Sequence, residues 1–159
     1  MKKTVRRLKI SNRRRKTAKM HNKKNKTLSK PTSNNTKSHM VKVFFELLNM
    51  VKLYHWKTYS YAQHKATDEL HERLNGNIDK FIEVLLGKDA SRIKMLERQI
   101  DLLDPTDTTD FKERIYEHRE FLINMDEIFD KKRDTDLLSI RDDILGDVNQ
   151  FLYLMTFNK

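Results

Sequence analysis

The chain contains no cysteine, and only 3 glycines and 2 prolines among 159 residues. Without thiols there are no disulfides, no thiolate nucleophiles and no sulfur-ligated metals, so any site chemistry falls to imidazole, carboxylate, hydroxyl and amine groups. The absence of cysteine fits any redox compartment. Scarce glycine and proline remove the punctuation that folds of many short strands need, and leave long uninterrupted segments. No apolar run approaches the roughly eighteen residues of a membrane span. The N-terminus has no apolar stretch of the kind that directs secretion. The expectation is a soluble intracellular protein with no membrane partner. Acids are missing altogether from residues 1–39, which carry fifteen Lys and Arg, whereas residues 40–159 hold the other eighteen with all twenty-three Asp and Glu. The net charge of +10 therefore belongs to the first quarter of the chain, and the rest is mildly acidic.

The basic quarter is rich in Lys, Arg, Asn, Ser and Thr, and Val5, Leu8 and Ile10 form no sustained amphipathic pattern. Such a composition buries too little to offset the entropy of ordering, so residues 1–37 are expected to be a disordered tail. Arg6, Arg7, Arg13, Arg14, Arg15, Lys16, Lys23, Lys24 and Lys26 are its candidate nucleic-acid contacts; the two tighter clusters fit a nuclear import signal, a DNA- or RNA-binding arm, or both. Nothing positions these side chains on base edges, so binding would be non-specific. Six to ten phosphate contacts would weaken roughly 10³–10⁵-fold between 50 and 200 mM salt.

Residues 38–159 read as an all-α, four-helix bundle. The first helix is expected to start at Ser38 as N-cap, burying Val41, Phe44, Leu47, Leu48, Val51 and Tyr54. Residues 58–60 break it, and Thr58 or Ser60 caps a second helix that stops at Gly87. Its apolar stripe is Leu70, Leu74, Ile78, Phe81 and Leu85. Between Lys88 and Thr109, Ile93, Leu96 and Ile100 stand at helical spacing before Asp104-Pro105, which predicts a short amphipathic helix between helices 2 and 3. The remaining helices carry Phe111, Ile115, His118, Leu122, Met125 and Phe129, then Leu137, Ile144, Val148, Phe151 and Met155, with Thr108 or Thr109 and Asp134 or Thr135 as caps. His118 lies in this core register as a structural histidine, and Tyr153 and Phe157 read as bundle or interface packing.

The second helix carries another stripe. At 100° per residue His64, Asp68, Asp79 and Glu83 span about 100°, and that sector is centred about 130° from the apolar one. Imidazole with carboxylate suits iron, zinc or manganese. One helix cannot close a site from these residues, because a rise of about 1.5 Å per residue puts Asp68 and Asp79 roughly 16 Å apart. A two-fold axis can, by setting a second antiparallel copy's Asp79 and Glu83 opposite His64 and Asp68. The spacing thus predicts a dimer. Each of these residues taken alone is also explained as part of a solvated helix face, and His71 reads as facing solvent or a salt-bridge partner rather than metal.

His55-Trp56, a second His followed by Asp four residues on, Asp eleven later and Glu four after that together resemble the ferroxidase signature of Dps proteins, the DNA-binding mini-ferritins of the ferritin-like superfamily. The core also resembles ferritin-like proteins of large DNA viruses. The resemblance is close over about thirty residues and loose over the helical layout of 38–159. It implies a ferritin-like bundle with His55, His64 and Asp68 from one subunit and Asp79 and Glu83 from its two-fold mate as iron ligands. No catalytic residues beyond these ligands are implied. Self-association as a dimer or a dodecamer, and a nuclear, nucleoid-associated or virion location, follow from it as expectations. Two features depart from the family: nine residues rather than twelve separate the histidines, with no glycine between them, and the bundle is shorter. Ordinary intra-bundle di-iron sites need Glu-x-x-His pairs, and none occurs here. Tyr54, Trp56, Tyr59 and Tyr61 crowd the implied site, either as packing or where oxidising equivalents could be captured. The reading is an iron-binding ferroxidase that associates with DNA through its tail. The alternatives are a non-catalytic ferritin-like DNA-packaging or virion structural protein, and a helical partner-binding module whose tail is only an import signal.

Overall fold

The structure is a computed structural model that describes residues 32–97 and 99–157. Among these residues it has four α-helices and no strand: α1 (Asn34–Lys57), α2 (Tyr61–Gly87), α3 (Thr108–Asn124) and α4 (Thr135–Leu154). Residues 1–31 lie outside the described set, and with them Arg6, Arg7, Arg13, Arg14, Arg15, Lys16, Lys23, Lys24 and Lys26.

Contacts between helix ends define the topology. Lys37 in the first turns of α1 reaches Asp89 just past the end of α2, so these two helices are antiparallel. Tyr54 near the end of α1 bonds Thr108 at the start of α3, and Phe44 meets Phe121 near its end, so α3 runs against α1 and with α2. Lys88 pairs with Asp136 and Arg73 with Gln150, which sets α4 against α2. The order is up, down, down, up, with one crossover along the bundle between α2 and α3. The core follows the apolar rows: Phe44, Leu47 and Val51 of α1 face Leu74, Ile78 and Phe81 of α2, Phe111, Ile115 and Leu122 of α3, and Leu137, Ile144 and Val148 of α4. Phe81 makes edge-to-face contacts with Phe44 and Phe129 at 5.6 and 5.8 Å.

The start of α1 corrects the expectation. Ser33, not Ser38, caps it by accepting the Thr36 amide, so residues 34–37 of the expected tail are helical. Ser38 is buried, and its hydroxyl accepts the amide of Leu96. The caps of α2 and α3 are Ser60 and Asp107; Asp134 precedes α4 but turns its carboxylate back to the Asp130 amide.

The short helix expected between α2 and α3 does not form among the described residues; residues 91–97 and 99–107 form a non-helical strap along α1. Distance is the reason. From Ser38 to Lys57, α1 rises about 28 Å. The strap covers that length between Leu96, held by Ser38, and Asp104, held by Lys57. Eight residues reach it nearly fully extended, at roughly 3.3–3.6 Å each, whereas as a helix they would cover about 12 Å. Polar side chains of α1 take the place of helical hydrogen bonds. Asn34 pairs with both the amide and the carbonyl of Lys94, and Glu46 accepts the Asp101 amide. Leu96, Ile100 and Leu102 consequently stay exposed.

Candidate metal half-site

The hinge between α1 and α2 is built from hydroxyl and amide groups. Thr58 closes α1 by donating its amide to the Tyr54 carbonyl, and Ser60 opens α2 by accepting the Gln63 amide. Beneath them Gln63 Oε1 accepts from the hydroxyls of Tyr54 (2.9 Å) and Thr58 (2.5 Å). Thr67 donates back to the Gln63 carbonyl at 2.8 Å. Tyr54 and Thr67 are buried, as is Gln63, so this network fixes the angle at which α2 leaves α1.

On that hinge His55 and His64 form a reciprocal clasp. Nδ1 of His55 lies 3.0 Å from the His64 carbonyl, and Nδ1 of His64 lies 3.0 Å from the His55 carbonyl. The rings stack at 3.8 Å between centroids and 24° between planes. A carbonyl only accepts, so both Nδ1 atoms carry the proton donated, and in each neutral ring Nε2 keeps its lone pair. His55 Nε2 stands 3.8 Å from Asp68 Oδ1. Lys52 Nζ stands 3.8 Å from the same oxygen and 5.7 Å from the Trp56 ring. His71 is close enough to feel Lys52, Asp68 and His55; burial first, and then the Lys52 charge, push it below the usual histidine range.

The structure thus sets His55 against His64 and near Asp68, and separates all three from Asp79 and Glu83. The latter two are exposed further along α2, without an ion pair or hydrogen bond among the described residues. No three His, Asp or Glu side chains, His55, His64 and Asp68 included, converge on a point among the described residues; the rise along α2 accounts for the distance of Asp79 and Glu83. Of the aromatic residues, Tyr54 is packed, stacked on Phe111 at 3.9 Å, while Trp56, Tyr59 and Tyr61 are exposed around the hinge. His118 is the structural histidine expected, donating through Nδ1 to the Arg114 carbonyl at 2.8 Å. Sequence reasoning passed over Lys52, three residues before His55 and so on the adjoining face of α1. It also passed over Gln63 and Thr67, whose signal was their position one before and three after His64 on the inner side of α2.

The donor set is two imidazoles and a carboxylate, with Nδ1 of each ring held by a backbone carbonyl. That is the outer-shell arrangement that orients metal-ligating histidines. These three side chains do not by themselves form a ligand cluster; within the set, His55 Nε2 stands 3.8 Å from Asp68 Oδ1.

No curated protein and no solved structure matches the chain. A family model does match, over residues 55–155, from His55 itself through α2, the strap, α3 and α4; the chain belongs to that family, a family of unknown function (DUF5856).

Proposed function

We propose that the protein is a ferritin-like iron-binding ferroxidase of the Dps type, in which His55, His64 and Asp68 of one protomer meet Asp79 and Glu83 of a second copy across a two-fold axis. The observation that carries this reading is the clasp, which occupies Nδ1 of both rings with backbone carbonyls and sets His55 Nε2 3.8 Å from Asp68 Oδ1. In the neutral ring Nε2 and the carboxylate oxygen are both acceptors, and a cation between them would relieve that opposition. Two donors at ~2.1 Å from one metal are roughly 3.0–3.4 Å apart, a small closure from the separation present here. Asp79 and Glu83, on the same outer side of α2 and without partners among the described residues, are free to complete such a site in another copy. The single long crossover between the second and third helices is also the connectivity of ferritin-like folds.

In this reading ferrous iron is the substrate and zinc or manganese are competitors. Carboxylates from both copies stabilise the ferric product, and two ferrous ions give one electron each to peroxide, which takes up two protons and leaves as two waters. Arg13, Arg14, Arg15 and the other tail cations would hold the assembly on nucleic acid. A second reading has its own observation: Lys52 already supplies a cation to Asp68, as in a non-catalytic scaffold for nucleic-acid packaging. Ferrous iron oxidation by dioxygen and by peroxide, measured beside anaerobic Co²⁺ binding, separates the two. In the wild type, oxidation and binding are expected together. The Asp79→Ala/Glu83→Ala variant should lose oxidation while keeping its helical circular dichroism. Oxidation unchanged in that variant sinks the inter-subunit site, and no metal uptake by the wild type favours the scaffold.

A further inference from the structure

A groove runs between α2 and α4 on the side of the bundle away from α3. At the start of α2 and the end of α4 it opens into an apolar cavity of about 280 Å³ walled by Ala62, Ala66, Leu154 and Phe157. Midway along the bundle it becomes an open cleft with Glu72, Asp142, Asp143 and Asp147 on its rims. Gly76 and Gly146 are in this cleft, and a Cβ on either would meet nothing within 4 Å. Arg73 links Asp147, Gln150 and Glu69 across the part between. Glu72 and Asp143 have no ion pair among the described residues.

The occupant is identified by order as well as by charge. The first 31 residues hold fourteen Lys and Arg and no acid, and they join the described chain at the end of the bundle where α2 finishes. Moving away from that junction, the chain presents Lys30, the cluster Lys23-Lys24-Asn25-Lys26 and Lys19, then the denser cluster Arg13-Arg14-Arg15-Lys16, and the apolar Ile10, Leu8 and Val5 after all of these. Moving from the same end, the groove presents its acidic cleft first and its apolar cavity second. The cleft at Gly76 is about 16 Å along α2 from Gly87. The sixteen residues from Lys16 to Thr32 reach up to roughly 53 Å, so the length suffices.

We propose that residues 5–16 dock into the α2–α4 groove of their own chain, with Arg13–Lys16 on the acidic cleft and Leu8 in the apolar cavity. The groove and a nucleic-acid phosphate then compete for the same cations, which makes the groove a brake on the tail. This proposal does not depend on any metal at the clasp.

Because the natural chain has no cysteine, paired cysteines in the full-length protein report the docking directly. The register predicts fast intrachain disulfides for Leu8→Cys with Ala66→Cys and for Thr17→Cys with Gly146→Cys. The crossed pairs, and Leu8→Cys with Asn49→Cys on the outer face of α1, should oxidise at least tenfold more slowly in a glutathione buffer. Gly146→Cys enters open space, so that pair remains informative if Ala66→Cys perturbs packing. Adding Glu72→Lys/Asp143→Lys, or 0.5 M NaCl, should slow the two matched pairs toward the control. Equal rates for all pairs overturn the proposal. So do matched-pair rates that ignore the charge reversal. Disulfides formed only between chains overturn docking in cis and give the groove to a second copy's segment.

Discussion

Lys37 holds the end of the bundle where α1 begins and α2 finishes, and its surroundings make an asymmetric prediction. The side chain is 3% exposed, and its ammonium donates to Asp89 and Ser91 at 2.6 Å each, whereas the Asp89 side chain is 24% exposed. Asp89→Ala leaves a buried ammonium with one hydroxyl, and removing one partner of a buried pair costs about 3–5 kcal/mol. With Ser91 still in place, about 3 is expected. Lys37→Met instead leaves a carboxylate that reaches water and keeps the Ser91 amide at 3.1 Å, for about 1–2 kcal/mol. The double variant has no stranded charge, so it should be more stable than Asp89→Ala alone. Acidity offers a second handle. The Lys37 hydrogen bond first, then that of Ser91, hold the Asp89 carboxyl at about 2, against an ordinary 3.8. A depressed carboxylate contributes its stability above the unfolded value and loses it as pH falls through the folded one, here between about 4 and 2. The shift corresponds to at most ~2.5 kcal/mol, and the exposed side of Asp89 brings this to ~1–2 in salt. Urea unfolding of the four proteins at pH 7, with wild type and Lys37→Met repeated down to pH 2.5, measures both effects. Equal losses in the two single variants, or a double variant less stable than Asp89→Ala, would refute the burial argument.

Gly76 and Gly146 lie inside helices with open space where a Cβ would go. Gly76→Ala and Gly146→Ala should each stabilise by about 0.5–1 kcal/mol through helix propensity alone, read as a rise in Tm of a few degrees. A fall in Tm would refute the propensity argument. His118 is held below the usual histidine range chiefly by burial, against the opposing pull of the Arg114 carbonyl and of Glu46 and Glu117. The unfolded chain then takes up a proton near pH 6.5 that the folded chain resists, so stability should fall as pH drops below about 6.5. His118→Leu should flatten that fall in urea midpoints compared at pH 7.5 and 5; an unchanged slope would assign the effect to other groups.

The helices were legible because their apolar rows repeat without interruption, and the hinge because Thr58-Tyr59-Ser60 breaks the pattern next to a good N-cap. The start of α1 was not. Ser33, Asn34, Asn35, Thr36 and Ser38 all suit a cap, and the choice among them was made by where the apolar row begins. In the folded chain that row begins earlier, since the strap covers Lys37 and Ser38 from outside. The strap itself misled for a related reason. The spacing of Ile93, Leu96 and Ile100 is local information, while the distance the strap must bridge is set by which ends of α1, α2 and α3 lie together. Helical spacing lost to the span. At the candidate site, the shared face of His64, Asp68, Asp79 and Glu83 could be read from the helical period alone. The clasp could not, because it needs the angle that Gln63, Tyr54 and Thr67 impose beneath the hinge.

That clasp also bears on the nine-residue interval between the histidines. The last carbonyls of a helix have no partner within it, and the His55 carbonyl lies in the last turn of α1. His64 Nδ1 satisfies it from the next helix, so one bond both finishes α1 and fixes the ring that would bind metal. The reverse bond, from His55 to the His64 carbonyl, ties the second ring to α2. A longer hinge would carry His64 away from the end of α1 and dissolve both bonds, and a glycine in it would loosen the angle they need. On the proposed ferroxidase reading, the short interval would aim two imidazoles through backbone carbonyls of the same chain. On the function proposed above, assembly has only to bring the missing carboxylates, Asp79 and Glu83 of a second copy, to rings already aimed.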